Sequence, residues 1–241
     1  MLVKDISLPT PHENILYDEA LLYLAEQEGS GEVLRFWESP ELFIVLGRTS
    51  KEEEDLCIDK ITQDQIPVVR RSSGGGTVVQ GKGCLNYSLI LSKTRDPRMA
   101  DLRLSYHVIL HKVIAALNAC GVKAVFYPVS DIALADSQKK ISGNAQKRCK
   151  EFILHHGTIL YDFNLESIKR YLKIPRDIPE YRQGRPHMDF VGNLPLPAGP
   201  IKDAIKNVFG TSREEKRLKE KEEKYLQRFL ETKNIYVKQT G

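Results

Sequence analysis

Residues 70–80 read RRSSGGGTVVQ and directly follow the apolar run IPVV at 66–69. Three consecutive glycines lose more backbone entropy on folding than an ordinary loop does, so this position must require a backbone without side chains. Successive glycine N–H groups can converge on a phosphate or carboxylate, and an arginine can add a two-pronged contact to the same anion. The stretch therefore predicts an anion-binding loop. A glycine-rich hairpin turn flanked by surface charge is the alternative that the stretch alone leaves open.

The two arginines of this stretch are adjacent in sequence. Neighbouring side chains of a strand point to opposite faces, so Arg70 and Arg71 cannot both face one ligand. We expect one of them to serve the anion site and the other to lie in solvent.

Composition limits the class of protein. The chain has 241 residues, 41% hydrophobic and 28% charged, as in a soluble globular protein of one large or two small domains. A net charge of +4 is too small to indicate a nucleic-acid-binding protein. No apolar run approaches the roughly 18 residues of a membrane span, and the N-terminal residues contain no apolar segment of a secretory signal. The four cysteines lack metal-site spacing, so we expect reduced thiols, no zinc and a cytoplasmic protein.

Hydrophobic periodicity predicts helices and short strands in irregular alternation. Helices are expected at 12–27, 51–64 and 102–120, the last with Leu102, Tyr106, Ile109, Val113 and Leu117 on its apolar face and Gly121 at its end. Strands are expected at 32–39, 42–48, 66–72 and 84–92, and two successive hairpins between 124 and 163. This pattern favours an α+β fold on a mixed or antiparallel sheet with flanking helices. A dinucleotide-binding fold is disfavoured because the glycines are contiguous.

The C-terminal third is predicted from its prolines and charges. Half of the twelve prolines lie between 175 and 200, which indicates an extended surface connection. C-terminal helices are expected within 201–233. Ser212 and Glu215 fit a capping box, and the charged run 212–224 is typical of a solvated helical face.

Two further segments carry candidate functional side chains. Residues 139–146 read KKISGNAQ, and residues 155–160 read HHGTIL. A lysine beside Ser-Gly is, by itself, an ordinary surface feature. His155 and His156 should point to opposite faces of a strand, so we expect no shared metal, and either could be a hydrogen-bonded core histidine.

Taken together, three segments carry a resemblance: 70–91, 130–146 and 155–160. In sequence, order and spacing they resemble the lipoate–protein ligase A and octanoyltransferase family, which has the biotin/lipoate protein ligase catalytic fold. The opening NILYDEALL at 14–22 and LFIVLGR at 42–48 are also similar to that family. The resemblance covers roughly residues 12–165. It implies a single catalytic domain over 1–241, with the Pro-rich connection at about 175–200, helices within 201–233, and no large C-terminal accessory domain.

The resemblance implies roles for individual residues. Lys140 is implied to be catalytic, and Asp131 is the candidate contact for Mg²⁺ entering with ATP. The residues implied to bind ATP and the lipoyl-adenylate are Arg70, Gly74, Gly75, Gly76, Asn86, Ser142, Gly143, His156, Gly157 and Thr158.

The implied reaction joins an acyl chain to a protein. ATP activates lipoate or octanoate as an acyl-adenylate, and a lysine of a lipoyl-domain protein then takes the acyl group. The implied acceptors are 2-oxoacid dehydrogenase E2 subunits or a glycine cleavage H-like protein, with no nucleic acid or membrane partner. The accessory function would come from a separate protein, or the short form would adenylate alone or use a ready-made acyl-adenylate. Biotin is not expected, since biotinyl ligases carry a different glycine-arginine loop.

Two alternatives stay open. Octanoyltransferases of the family accept the acyl group from a carrier protein on a cysteine. Here, the loop where one branch has that cysteine holds Ser130 and Asp131, and Cys149 lies six residues before His155, further than the other branch requires. Lys147, Arg148 and Lys150 could nevertheless stabilise a Cys149 thiolate. A non-catalytic acyl or nucleotide binder is the second alternative, and the intact lysine motif counts against it. The residues favour the ligase.

Overall fold

A computed structural model of the chain describes residues 1–176 and 178–233. Its strands are β1 (Leu2–Asp5), β2 (Val33–Trp37), β3 (Phe43–Leu46), β4 (Val68–Arg70), β5 (Val78–Gln80), β6 (Cys84–Ser92), β7 (Ala124–Tyr127), β8 (Asp131–Leu134), β9 (Lys140–Arg148), β10 (Phe152–Leu160) and β11 (Arg213–Glu215). Its α-helices are α1 (Pro11–Glu28), α2 (Glu52–Asp55), α3 (Ile58–Gln63), α4 (Leu102–Ala119), α5 (Glu166–Tyr171), α6 (His187–Phe190), α7 (Ala198–Phe209) and α8 (Glu220–Thr232). None of the helices that the structure describes is both long enough and apolar enough to span a membrane.

The strands form two sheets. The larger has the order β11-β1-β2-β6-β10-β9-β8-β7, and the smaller has the order β4-β3-β5. In the larger sheet β1 runs parallel to both β11 and β2, whereas the other neighbours are antiparallel. Helices flank these mixed sheets, so the predicted α+β class is confirmed. The predicted hairpins between 124 and 163 are one continuous meander, β7-β8-β9-β10.

The large sheet has two unlike faces. On its back face, side chains of β6, β9 and β10, among them Tyr87 and Ile159, share the main hydrophobic core with side chains of α4 and α7, among them Val113 and Ile201. On its front face lie α1 and the small sheet. Because side chains alternate along a strand, two residues that are adjacent in sequence point to opposite faces: one to the main hydrophobic core and the other to α1 and the small sheet.

Helix α1 is fixed to the front face by a buried arginine. Thr10 and Glu13 form a capping box at its start, and Gly29 ends it at φ +64°. Arg35 of β2 is fully buried and donates to Asp18 at 2.6 Å and to the Asn14 side chain at 2.6 Å. The predicted helix 12–27 is therefore confirmed, and polar as well as apolar contacts hold it in place.

The C-terminal capping box predicted at Ser212 and Glu215 is wrong. Residues Arg213–Glu215 form β11, which pairs with β1, and α8 begins only after Lys219. The cause is Lys4, whose fully buried ammonium lies 2.8 Å from Glu222 and 3.0 Å from Glu215. A buried cation needs anionic partners, so these carboxylates turn inward instead of forming a solvated helical face.

The Pro-rich connection is not simply extended. It contains a 3₁₀ turn at Glu180–Arg182 and helix α6, and it buries Phe190, Val191 and Leu194. Its predicted span includes Asp177, and the predicted domain includes 234–241; both lie outside the described residues. Strand β5, which has three residues, was not predicted. In α4, Leu102 is 48% exposed in the first turn, while the other four predicted apolar positions are buried.

Candidate functional site

The glycine loop after β4 is held by Arg71. This side chain is buried, and its Nη2 donates to the carbonyls of Gly74 and Gly76, each at 2.7 Å, while Nε donates to Ser73 at 3.0 Å. Burial lowers the pKa of Arg71 to about 10, which leaves it charged at neutral pH. The expectation that one arginine lies in solvent is wrong, because the loop's inward carbonyls need this donor.

The N–H groups of the glycine loop point away from Arg71. In a trans peptide the N–H points opposite to the C=O, so the N–H groups of Gly75 and Thr77 point away from Arg71. Over the described ranges 1–176 and 178–233, no protein acceptor is recorded for the N–H groups of residues 74–77. Donors of this kind are what an anion needs, which supports the anion-binding interpretation over a simple turn.

The loop lies over the front face of β9 and β10. Gly75 adopts φ +82°, and a Cβ there would lie 3.4 Å from the Cβ of Ala145. Ser73 Oγ lies 2.6 Å from His156 Nε2, and Lys147 donates to Ser72 at 2.9 Å. Burial, and then the charge of Arg71, lower the pKa of His156 to about 4, so its neutral ring can accept the Ser73 proton. The loop is therefore anchored to the sheet at both serines.

Arg70 is half-buried at the start of the loop. Its Nη1 donates to the carbonyls of Gly47 at 2.9 Å and Ser50 at 2.7 Å, and Nη2 is 3.5 Å from Glu52. A Cβ on Gly47 would lie only 1.9 Å from the carbonyl oxygen of Gly75, so the 47–50 turn packs directly against the glycine loop. In this arrangement Arg70 ties the neighbouring turn to the loop.

A β-bulge places Lys140 beside the loop. Ile132 pairs with Ser142 but Ala133 pairs with Lys140, so Ile141 is an extra residue in β9. The bulge puts Lys140 on the same face as Gly143, and a Cβ on Gly143 would lie 3.1 Å from Lys140 Nζ. Ala145, beneath the loop, is two residues further, about 7 Å along the strand. The ammonium group and the glycine loop are thus neighbours on the front face.

Asp131 uses both carboxylate oxygens within the protein. Lys140 Nζ lies 2.7 Å from Oδ1, and the Tyr181 hydroxyl donates to Oδ2 at 2.8 Å. Nowhere in residues 1–176 and 178–233 do three His, Cys, Asp or Glu side chains form a group that could hold a metal ion. The side chains around Asp131 therefore do not fit a metal held directly by the protein.

Three polar side chains form a connected cluster on the front face. Thr158 donates to Asn86 at 2.6 Å, Gln80 donates to Thr158 at 2.6 Å, and Asn86 donates to Gln80 at 3.1 Å. The cluster joins β5 of the small sheet to β6 and β10 of the large one. Gln80 ends the stretch RRSSGGGTVVQ, and the sequence did not identify it as a candidate site residue. No motif signals it, because its role depends on the stacking of two sheets.

Two predicted binding residues lie on the back face. Gly157 packs so closely that a Cβ would lie 1.8 Å from Asn144 Oδ1, and Ser142 accepts from Asn144 Nδ2 at 3.3 Å. Asn144 also accepts from the Tyr87 hydroxyl at 2.5 Å. His155 is buried on the same face against Gln146, opposite to His156 as predicted. Ser142 and Gly157 therefore support the strands from behind and do not face the loop.

We expect Gly157→Ala to lower the free energy of unfolding by about 1–3 kcal/mol, because the new methyl group displaces Asn144 in a packed core. Chemical denaturation followed by circular dichroism measures this. Gly199→Ala is the matched control, since a Cβ at Gly199 meets nothing within 4 Å. Equal stability of the two variants would contradict the packing role of Gly157.

Cys149 is remote from Lys140. It follows β9, nine residues from Lys140, which is roughly 30 Å at about 3.3 Å per residue. Burial, and then the charge of Glu26, raise the pKa of its thiol despite Lys147 and Lys93 nearby. A raised pKa lowers the thiolate fraction at neutral pH, so Cys149 is a poor nucleophile.

Known proteins resemble this chain in both sequence and fold. Residues 10–203 match the sequence profile described as the lipoyl protein ligase A/B catalytic domain. A probable lipoate-protein ligase A from Mycoplasma pneumoniae is 29% identical over 166 residues, covering 69% of this chain and 47% of the relative. The chain spans about half the length of the curated relatives that it matches.

Solved structures show the same fold. A bi-partite lipoate protein ligase from Thermoplasma acidophilum, studied with its E2 lipoyl domain, superposes with a TM-score of 0.81 at 23% identity, covering 96% of this chain and 92% of that one. A lipoate-protein ligase A bound with ATP gives a TM-score of 0.79 at 24% identity, covering 96% and 94%. At these identities the likeness establishes the architecture.

Proposed function

Because the chain belongs to the lipoyl protein ligase A/B catalytic domain family, we propose that it is a lipoate–protein ligase that forms an acyl-adenylate and transfers the acyl group to a protein lysine. The observation that carries the proposal is the position of Lys140 near glycine N–H groups for which no other group in residues 1–176 and 178–233 is an acceptor. Fixed cations and amide donors of this kind favour reactions between two anions.

The first step joins two negatively charged groups. A carboxylate oxygen of lipoate or octanoate attacks the α-phosphorus of ATP, and the bond from that phosphorus to pyrophosphate breaks. Lys140 offers a point charge to the carboxylate and α-phosphate oxygens, while the N–H groups of residues 74–77 bind phosphate oxygens. In the second step an acceptor lysine attacks the acyl carbon, adenylate leaves, and the amine loses a proton.

The proposed substrates and partners follow from the relatives. ATP and lipoate are the substrates, and Mg²⁺ would enter with the nucleotide's phosphates, since Asp131 is occupied by Lys140 and Tyr181. The acceptors would be lipoyl domains of E2 subunits or an H-like protein, in the cytoplasm. The described E2 lipoyl domain of the Thermoplasma acidophilum ligase supports the first of these.

We also propose that residues 1–241 act as one catalytic domain, with the accessory function in a separate protein. Support comes from the Thermoplasma acidophilum ligase, which is described as bi-partite and has 92% of its chain covered by this one. Mixing the purified chain with candidate accessory proteins from its own genome should raise the rate of acyl-adenylate formation. A rate independent of every such protein would favour a self-sufficient catalytic domain.

The proposed function is tested by lipoate-dependent exchange of labelled pyrophosphate into ATP. The ligase proposal predicts exchange with lipoate and octanoate, and modification of a lipoyl domain when one is added. Exchange that does not depend on an acyl acid, or binding without exchange in the presence of the accessory protein, would contradict it. The second result would favour the non-catalytic binder.

We expect Cys149→Ser to keep most of the ligase activity, because the thiol is remote from Lys140 and its pKa is raised. The measurement is lipoylation of a lipoyl domain with lipoate, ATP and Mg²⁺. A cysteine-dependent transferase would behave oppositely. It would lose turnover on this change, and the wild-type protein would form a thioester at Cys149 with octanoyl carrier protein in the absence of ATP, as detected by mass spectrometry.

A further inference from the structure

Residues 180–192, which we term the strap, contact the main chain of Lys140. The N–H of Gly192 donates to the carbonyl of Lys140 at 2.9 Å, and Val191 forms an isolated parallel bridge with the same residue. A Cβ on Gly192 would lie 3.1 Å from the Cβ of Lys139, so the two segments are closely packed. The first residue of β9 is therefore fixed by a partner outside the large sheet.

The strap also reaches the side chain of Lys140, through Asp131. The Tyr181 hydroxyl donates to Asp131 Oδ2 at 2.8 Å, and Lys140 Nζ lies 2.7 Å from Oδ1. The Asp131 side chain is only 11% exposed, so its orientation depends on these protein partners. The ring of Tyr181 stacks on Tyr127 with centroids 4.0 Å apart and planes inclined by 11°.

Two arginines make the strap rigid around Tyr181. Arg185 donates to the Tyr181 carbonyl at 2.8 Å and to the carbonyls of Ser137 at 3.4 Å and Gln138 at 3.3 Å, which lie in the turn before β9. Arg182 is buried, donates to the Arg185 carbonyl at 2.8 Å, and lies over the Phe190 ring at 4.7 Å. Tyr181 is thus held next to Asp131 by a segment that these arginine contacts fasten to the turn before β9.

We propose that Tyr181 is a positioning residue for Lys140: its hydroxyl fixes the Asp131 carboxylate, and the carboxylate fixes the ammonium group beside the glycine loop. The proposal rests on the proposed ligase function. Without the hydroxyl, Oδ2 loses a charge-assisted hydrogen bond, and the carboxylate can rotate and carry Lys140 with it. Small displacements of the Lys140 ammonium group matter, because acyl-adenylate formation requires its charge at a fixed position beside the reacting oxygens.

The kinetic test is Tyr181→Phe, which keeps the ring and its stacking but removes the hydroxyl. We expect kcat for lipoate-dependent pyrophosphate exchange to fall about tenfold, with KM values for lipoate and ATP within about twofold of the wild-type values. Tyr171→Phe is the matched control, since the Tyr171 hydroxyl makes an equivalent 2.8 Å bond to Asp64 away from the site. An unchanged kcat in an active preparation of Tyr181→Phe would overturn the proposal.

A second measurement needs no enzymatic activity. Limited acetylation with a small amine-reactive ester, read by mass spectrometry, reports how firmly Lys140 is held relative to Lys139. Tyr181→Phe should speed labelling of Lys140 several-fold, and it should add nothing to the rate found in Asp131→Asn. Equal labelling in wild type and Tyr181→Phe, or additive effects of the two changes, would refute the positioning role. Lack of exchange in the wild type would instead count against the ligase function and leave this readout valid.

Discussion

Lys140→Ala is expected to lower the rate of acyl-adenylate formation by at least about a hundredfold to a thousandfold, the usual loss on removing one electrostatic stabiliser. The effect has two parts. The site loses the cation that offsets the approach of a carboxylate to a phosphate. In addition, the Asp131 carboxylate, which lies 2.7 Å from the lysine and is 11% exposed, loses its cationic partner. Lipoate-dependent pyrophosphate exchange measures the loss, and circular dichroism verifies that the variant folds.

A double variant separates these two effects, and a variant of the neighbouring lysine is the control. Lys140→Ala with Asp131→Asn removes the uncompensated carboxylate, so any recovery relative to Lys140→Ala reports repulsion, and the remaining deficit reports the missing cation. Lys139→Ala is the neighbouring control, because the Lys139 ammonium only reaches the Met188 carbonyl at 3.5 Å. If Lys139→Ala were the damaging change and Lys140→Ala nearly as active as wild type, the assignment of the catalytic lysine would be wrong.

Part of the geometry around the glycine loop can be predicted from the sequence. Consecutive glycines predict an anion-binding backbone because of their conformational freedom, and this stays a prediction, whereas alternation correctly separates His155 from His156. The role of Arg71 could not be predicted in this way. Its burial depends on the loop folding back so that two carbonyls point inward, which is a tertiary event.

The bulge in β9 explains a second limit. Strict alternation would place Lys140 and Gly143 on opposite faces, and only the extra residue Ile141 brings them together. The same alternation sends Ser142 and Gly157 to the back face, although the family resemblance grouped them with the binding residues. A sequence motif therefore indicates which strands lie near the site. The alternation of side chains along each strand determines which of the motif's residues face it.

The C-terminal region shows a third limit. The charged run 212–224 has the composition of a solvated helix, yet Glu222 is buried against Lys4 and Tyr17. The partner cation lies more than two hundred residues earlier, so no local pattern could reveal it. Long-range pairing of this kind overrides local helix signals such as the capping box.

Gly75→Val is expected to lower the affinity for a non-hydrolysable lipoyl-adenylate analogue at least about a hundredfold, which corresponds to about 2.8 kcal/mol of lost contacts to charged oxygens. Gly75 adopts φ +82°, which a β-branched residue rarely tolerates, and its Cβ would lie 3.0 Å from Arg71 Nη2. The loop would have to rearrange, so the N–H groups of Gly75 and Thr77 would lose their present orientation. Titration calorimetry with the analogue measures the loss directly.

The control for this change is Gly121→Val. Gly121 ends α4 at φ +84°, nearly the same conformation, but a Cβ there meets nothing within 4 Å. Both variants carry the backbone strain of valine at positive φ, so both should lose some thermal stability. Only Gly75→Val should lose the analogue, because only that residue belongs to the loop that we propose as the anion-binding site. Unaltered binding of the analogue by Gly75→Val would show that the glycine loop is a simple turn. Equal loss of affinity in both variants would show that general destabilisation, and not the anion contact, controls affinity.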